Sequence, residues 1–468
     1  MLTYSFEHVD GPIYEHIYKC IKGDILSGKL KPGEKLPTKR TFARNNSVST
    51  ITIQNAYDQL ISEGYVYTVT KKGYYVAQIR ELTALPPVSC KISYDIDLPK
   101  APDFDVDLSG NDYSPENFPF SVWTGLSREV MSTQKSELMR VSPIGGAAAL
   151  REAIAEHLRS FRGMMIDPDQ IVIGAGTEYL YGLLADLLGN DKRYAIESPG
   201  YKKLAQIYGQ RGIRCHYAGM DSLGIKVDEL LRIDADIAHI CPNHHFPTGI
   251  TMPANRRYEI LAWANEKTGR YIIEDDYDSE FRTEGKPIPT LFSIDACEKV
   301  IYMNTFSKSI APTIRISYMV LPVHLVKRFY DKFSFYSCTV SNFEQYTLAA
   351  FIERGCFEKH INRMRLHYMR KRKRIIEIIK SGDFCRHCDI MENDSGLHFL
   401  LRLHTDRPDR EVEELLAQRK IRIKALSDYD LIGGDAPEHH FILNYSNITP
   451  EKVEKTLSIL AEILTGQP

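Results

Sequence analysis

A continuous run of about 18 apolar residues, the length that crosses a bilayer as a helix, is missing from this 468-residue sequence. The opening residues Met1-Leu2-Thr3-Tyr4 also lack the charged segment and apolar stretch of an export signal. The two absences argue for a cytoplasmic protein with no membrane span. A strong charge of either sign is missing too: the formal net charge is −2, so any contact with a polyanion must come from a local patch. The nine cysteines are scattered, and in a chain with no export signal they are expected as reduced, mostly buried thiols. The one close pair, Cys385-Arg386-His387-Cys388, has no second Cys/His pair at metal-ligand spacing. No metal site is expected, and the pair reads as a loop before a strand at Asp389-Ile390-Met391. What is present is ordinary for a globular protein, 43% hydrophobic and 26% charged residues, in a chain long enough for two or three domains.

The charge is unevenly placed. Residues 1–78 carry ten Lys/Arg and seven Asp/Glu, a local balance of about +3. From Pro12 to Leu26, Ile13, Ile17, Ile21 and Ile25 recur every four positions, which predicts an amphipathic helix begun by proline and ended near Gly28. A turn-rich stretch through Pro37 leads to Thr38, the N-cap of a second, short helix ending at Arg44. Ser49 caps a third, with Ile53, Ala56, Tyr57, Leu60 and Ile61 facing inward, Thr50, Thr52, Gln54 and Asn55 facing outward, and Gly64 as its stop. Tyr65–Val69 and Tyr74–Val76, joined by Thr70-Lys71-Lys72-Gly73, read as a hairpin. The arrangement is that of a winged helix-turn-helix, which would bind double-stranded promoter DNA. Lys39, Arg40, Arg44, Lys71 and Lys72 would contact phosphates, and Ser49, Thr50 and Thr52 would reach bases. A small helical module for protein contacts would satisfy the same spacing.

Residues 79–105 are punctuated by Pro86, Pro87, Pro99 and Pro102 and read as a linker, leaving 106–468 as a second domain. There, Ile171-Val172-Ile173, Tyr194-Ala195-Ile196, Ile237–Ile240, Tyr271-Ile272-Ile273 and Val300–Met303 are short apolar runs without inside/outside alternation. Such runs suit strands covered on both faces, as in an α/β sheet, whose ligands gather at the carboxyl ends of the strands. Chemistry-bearing residues follow each run. Gly176 and Thr177 open a helix whose amides could hold a phosphate, Tyr201 could lie on a flat ring, and Asp275 and Tyr277 follow Ile273. Thr305, Ser307 and Lys308 follow Met303, with Arg315 beyond. An amine for an imine, an acid for a ring nitrogen, and hydroxyls plus a guanidinium for a phosphate are what pyridoxal 5'-phosphate (PLP) requires. Each has a plainer reading as a surface lysine, a helix cap or an ion-pair partner; their joint placement after successive strands favours the cofactor.

Two resemblances cover nearly the whole chain. Ser27 to Arg40, with Val48-Ser49 and Leu60 to Val66, resembles the GntR family of bacterial transcription regulators. Ser198-Pro199-Gly200-Tyr201, Phe246-Pro247-Thr248-Gly249, Glu274 to Phe281 and Thr305 to Lys308 are similar to motifs of fold-type-I aminotransferases. Together they resemble the MocR/GabR-type subfamily. The resemblance implies an α/β fold class, with a winged helix-turn-helix joined to an aminotransferase-like domain that has a large mixed-sheet part and a smaller C-terminal part. It also implies a head-to-tail homodimer, with Lys308 as the imine lysine, Asp275 at the ring nitrogen, Tyr277 near the ring oxygen and Arg315 at the phosphate.

The chain departs from the pattern at several positions. Phe246 stands where the enzymes carry asparagine, Ile442 where many carry a carboxylate-gripping arginine, and Thr50 where the regulators often carry arginine. The loop from Lys308 to Arg315 is one residue shorter than in the enzymes. Lys203 replaces an arginine of 4-aminobutyrate-responsive relatives, and Arg422 lies in a segment similar to one supplying a carboxylate-binding arginine; both are effector-binding candidates. The expected function is a PLP-dependent transcription regulator responding to PLP or to an amine or amino-acid effector. An aminotransferase carrying a DNA-binding appendage is the alternative.

Overall fold

The computed structural model describes residues 3–4, 11–79, 103–110, 113–282, 288–391, 396–434, 436–446 and 448–465. The chain divides into two compact units, Met1–Lys100 and Ala101–Pro468. Most of the expected linker, residues 80–102, lies outside the described residues.

In the first unit three helices span Ile13–Leu26, Lys39–Asn45 and Thr50–Ser62, and a hairpin pairs Val66–Val69 with Gly73–Val76. Both expected caps form: Thr38 accepts from the Thr41 amide at 3.2 Å and Ser49 from the Thr52 amide at 3.0 Å. Ile17, Ile21 and Ile25 are buried, but Ile13 is 45% exposed, which corrects the expected four-residue stripe. A spacing of four rotates roughly 40° per step on a helix with 3.6 residues per turn, so the stripe leaves the packed face within three steps. Phe42 is fully buried between Tyr4 and Tyr57, with ring centroids 6.1 and 6.0 Å away.

The second unit is built on an eight-stranded sheet. Its order is Ile171–Gly174, Ser317–Val320, Val300–Thr305, Tyr271–Asp275, Ile237–Ile240, Tyr194–Ser198, Cys215–Asp221 and Gly224–Ile225. All five expected apolar runs are strands. The four from Tyr194, Ile237, Tyr271 and Val300 run parallel, so their carboxyl ends fall on one edge. Ser317–Val320 enters antiparallel and makes the sheet mixed. Alternate residues serve opposite faces: Ile301 and Met303 pack with Leu180, Leu184 and Phe329, whereas Tyr302 packs with Leu158 and Phe306. A smaller antiparallel sheet orders Cys388–Met391, His398–Leu403, His440–Asn444 and Lys424–Ala425. A single turn at Asp383–Arg386 precedes its first strand. Among the described residues no helix is long and apolar enough to cross a membrane.

Candidate functional site

A cavity of about 330 Å³ lies at the carboxyl edge of the large sheet. Strand alternation decides what reaches it from Glu274-Asp275-Asp276. Glu274 turns to one face, accepting from the amides of Leu291 and Phe292, and Asp276 follows it, taking Arg162 at 2.5 Å and the Tyr302 hydroxyl at 2.7 Å. Asp275 turns the other way, into the cavity. Its Oδ2 accepts from the Tyr181 hydroxyl at 2.5 Å, while Oδ1 is buried and accepts no hydrogen bond. His239, held by the Tyr208 hydroxyl at 2.8 Å, stands 3.6 Å from the same carboxylate.

Lys308 sits in the one-turn helix Phe306–Ser309 directly after the Val300–Thr305 strand. Burial lowers its pKa to about 8, against the opposing pull of the Asp278 carboxylate. The amine is therefore much more available near neutrality than an ordinary lysine, whose pKa is about 10.4. Thr305 lines the cavity, but its Oγ is engaged by the Ser307 amide at 3.1 Å and the Ser317 hydroxyl at 2.8 Å. The Ser307 hydroxyl is buried with no hydrogen-bond partner. Gly176, at φ +91, precedes the Thr177–Leu188 helix, and a Cβ there would meet the Arg315 guanidinium at 2.3 Å. Glycine thus serves both the backbone angle and the crossing of the arginine over the helix start. Arg315 donates to Glu178 at 2.9 Å.

Tyr277 places its hydroxyl 3.2 Å from His244, which lies 2.8 Å from Asp278. Tyr201 caps the Lys202–Gly209 helix and meets Phe246 edge-on. Gly176 abuts the cavity through Arg315, and the other cofactor candidates, Thr177, Tyr201, Asp275, Tyr277, Thr305, Ser307, Lys308 and Arg315, line it. The two effector candidates lie outside this lining. Lys203 pairs with Glu178, and Arg422 pairs with Asp107 at 3.4 Å. Ile442 is buried with Leu400 and Leu426.

Sequence reasoning missed Tyr181, His239, Glu197, His244, Asp278 and His398. Two left a signal. Tyr181 is one helical turn past Thr177, and His239 is the lone polar residue in an otherwise apolar strand. Glu197 is buried, accepts from the Cys241 amide at 2.9 Å, and is pushed up to about 8 by desolvation.

In the first unit, Arg40, Arg44, Ser49, Thr50, Lys71 and Lys72 are exposed. Lys39 lies over the Tyr74 ring at 5.3 Å, and the hydroxyls of Ser49 and Thr52 meet at 2.7 Å. Ile51, which the sequence reading passed over, is 71% exposed at the start of the third helix.

Comparison with known proteins follows the same division. The family Aminotransferase class I and II matches residues 105–460, and Bacterial regulatory proteins, gntR family, matches residues 13–76. The HTH-type transcriptional regulator YdeL of Bacillus subtilis is 34% identical, covering 90% of each chain. The probable rhizopine catabolism regulatory protein MocR of Rhizobium meliloti is 27% identical, covering 96% of this chain and 93% of its own. The fold resembles the kynurenine aminotransferase of Pyrococcus horikoshii, with a TM-score of 0.68 and 23% identity over 78% of this chain and 91% of that one. The chain belongs to the class I and II aminotransferase family and, with its GntR-type N-terminal unit, to the HTH-type transcriptional regulators of the MocR type.

Proposed function

We propose that this protein is a cytoplasmic, homodimeric regulator that binds promoter DNA through residues 1–78 and PLP through residues 106–468, with 79–105 as the tether and a head-to-tail pairing of subunits. The observation that carries the reading is the convergence on one cavity of the Lys308 amine with two buried groups that have no hydrogen-bond partner, Asp275 Oδ1 and the Ser307 hydroxyl. Bound there, PLP supplies an aldehyde that condenses with a primary amine and a ring nitrogen whose protonated form draws electrons. Lys308 is the amine. Asp275 would hold the ring nitrogen's proton, with Tyr181 fixing the carboxylate. Ser307, Arg315 and the amides at Gly176 and Thr177 would hold the phosphate, with Thr305 holding the turn that presents Ser307. Tyr201 and Tyr277 would bracket the ring. An amine or amino-acid effector would act at this cavity in competition with Lys308.

On the DNA side, the basic residues of the second helix and wing would track phosphates. Thr50 would reach base edges and Ile51 a thymine methyl. The hydroxyls of Ser49 and Thr52, paired with each other, serve first as a cap.

Borohydride treatment of PLP-saturated protein should leave a reduced adduct on the Lys308 peptide, and a promoter fragment should shift in a mobility assay. An unmodified Lys308 peptide would overturn the cofactor reading. The catalytic alternative draws on the same lysine, but Phe246 and Ile442 occupy positions where the enzymes carry asparagine and arginine. Robust multiple turnover of amine donors without promoter binding would establish that alternative instead.

A further inference from the structure

The cavity has two unlike walls. The first is built from the ends of the parallel strands and presents Asp275, Ser307, Lys308 and Arg315. The second presents Tyr201, Phe246, Leu397, His398 and Tyr429. Its rings meet edge to face: Phe246 lies 5.2 Å from Tyr429 at 88°, 5.4 Å from His398 at 71° and 6.4 Å from Tyr201 at 85°. Behind them sit Leu400, Leu426 and Ile442.

This second wall carries little that could hold an anion. His398 is 3.1 Å from the Pro247 carbonyl through Nε2, and burial keeps its ring well below the usual histidine pKa and uncharged. His245, on the same cavity, is pushed down to about 3. Asn444 also lines the cavity but brings no charge, and its Oδ1 accepts from the Ser446 amide at 2.9 Å. Arg422 is tied to Asp107 and Lys203 to Glu178. Asp278, a further lining residue, would repel a second carboxylate. Among the described residues of this wall an anion would find no cation to replace its lost water, whereas an aromatic body would fill it edge to face.

Resting on the assignment of Lys308 as the PLP-bearing amine, we infer that the effector is a primary amine with an aromatic body and no carboxylate, held against Phe246 and Tyr429. Phe246 and Tyr429, backed by Ile442, then set the preference.

Spectral titration of the PLP-loaded protein with 2-phenylethylamine, L-phenylalanine and 4-aminobutyrate tests this. The arylamine is expected to half-saturate at a concentration about tenfold or more below either carboxylate, the scale on which a hydrophobic pocket discriminates. Phe246→Ala should erase most of that preference, and Ile442→Arg should move it toward L-phenylalanine. Should the buried arginine prevent folding, as circular dichroism would reveal, Phe246→Ala carries the test. Equal or tighter binding of either carboxylate, or an unchanged preference in Phe246→Ala, overturns the inference. An intact Lys308 adduct with no arylamine preference removes this inference alone; absence of the adduct removes the cofactor assignment and this inference with it.

Discussion

Lys71 and Lys72 stand exposed at the tip of a two-stranded wing, whereas Lys308 is recessed at the edge of an eight-stranded sheet with its pKa drawn down to about 8. The three lysines mark two ways of building a site. In the winged unit the proposed DNA-facing side chains and the core are separate sets: Phe42, Tyr57 and Leu60 hold the fold, while Arg40, Arg44 and the wing lysines stay in water. In the cavity the two sets overlap. Asp275 and Glu197 lie at the ends of buried strands, and the ionisation of Glu197 is part of the energy of the fold. A site of the first kind can change its charge at little cost in stability, and a site of the second kind cannot.

The sharpest way to separate the two units is to empty one core. Phe42→Ala should cost about 3–5 kcal/mol and be confined to the first unit. Hydrogen exchange should show protection lost over residues 13–79 and kept in the large sheet; loss in both would break the comparison. Glu197→Gln tests the claim that charge in the cavity is coupled to folding. The folded-state pKa of Glu197 is raised to about 8, so its buried charge costs nothing below the unfolded carboxylate pKa of about 4.3 and progressively more as pH rises toward 8. Denaturant melts of cofactor-free protein should show the variant roughly 1–3 kcal/mol more stable at pH 8.5 and unchanged at pH 4. Ser49→Ala removes a cap outside the core and should cost about 1 kcal/mol by the same melts, since the Thr52 amide loses its acceptor. Smallest in stability is Lys71→Ala with Lys72→Ala, expected within about 0.5 kcal/mol of the parent. The same pair should flatten the dependence of log affinity for DNA on log salt by about 2, one unit per lost phosphate contact.

Much of this could be read before any coordinates. The helix caps Thr38 and Ser49, the hairpin and the five apolar strands follow from local rules, because a cap or a doubly covered strand leaves its pattern in consecutive residues. Ser317–Val320 left a weaker mark: opening on a serine and a tyrosine rather than an aliphatic run, it is recognisable as a strand mainly by its partners on either side. The position of Lys308 was legible because chemistry demands an amine after a strand. The Tyr181 clamp on Asp275 was not, since 94 residues separate the two.

By itself, then, the sequence determined the two units, the strands and the order in which reactive residues leave them, because each of these is set by neighbours along the chain. Only the tertiary structure decided which of those residues share a cavity. It left Asp275 Oδ1 and the Ser307 hydroxyl open, engaged the Thr305 hydroxyl in a cap, and turned Lys203 and Arg422 aside into ion pairs. Desolvation and hydrogen-bond partnership depend on what distant segments bring together, and no local pattern encodes them.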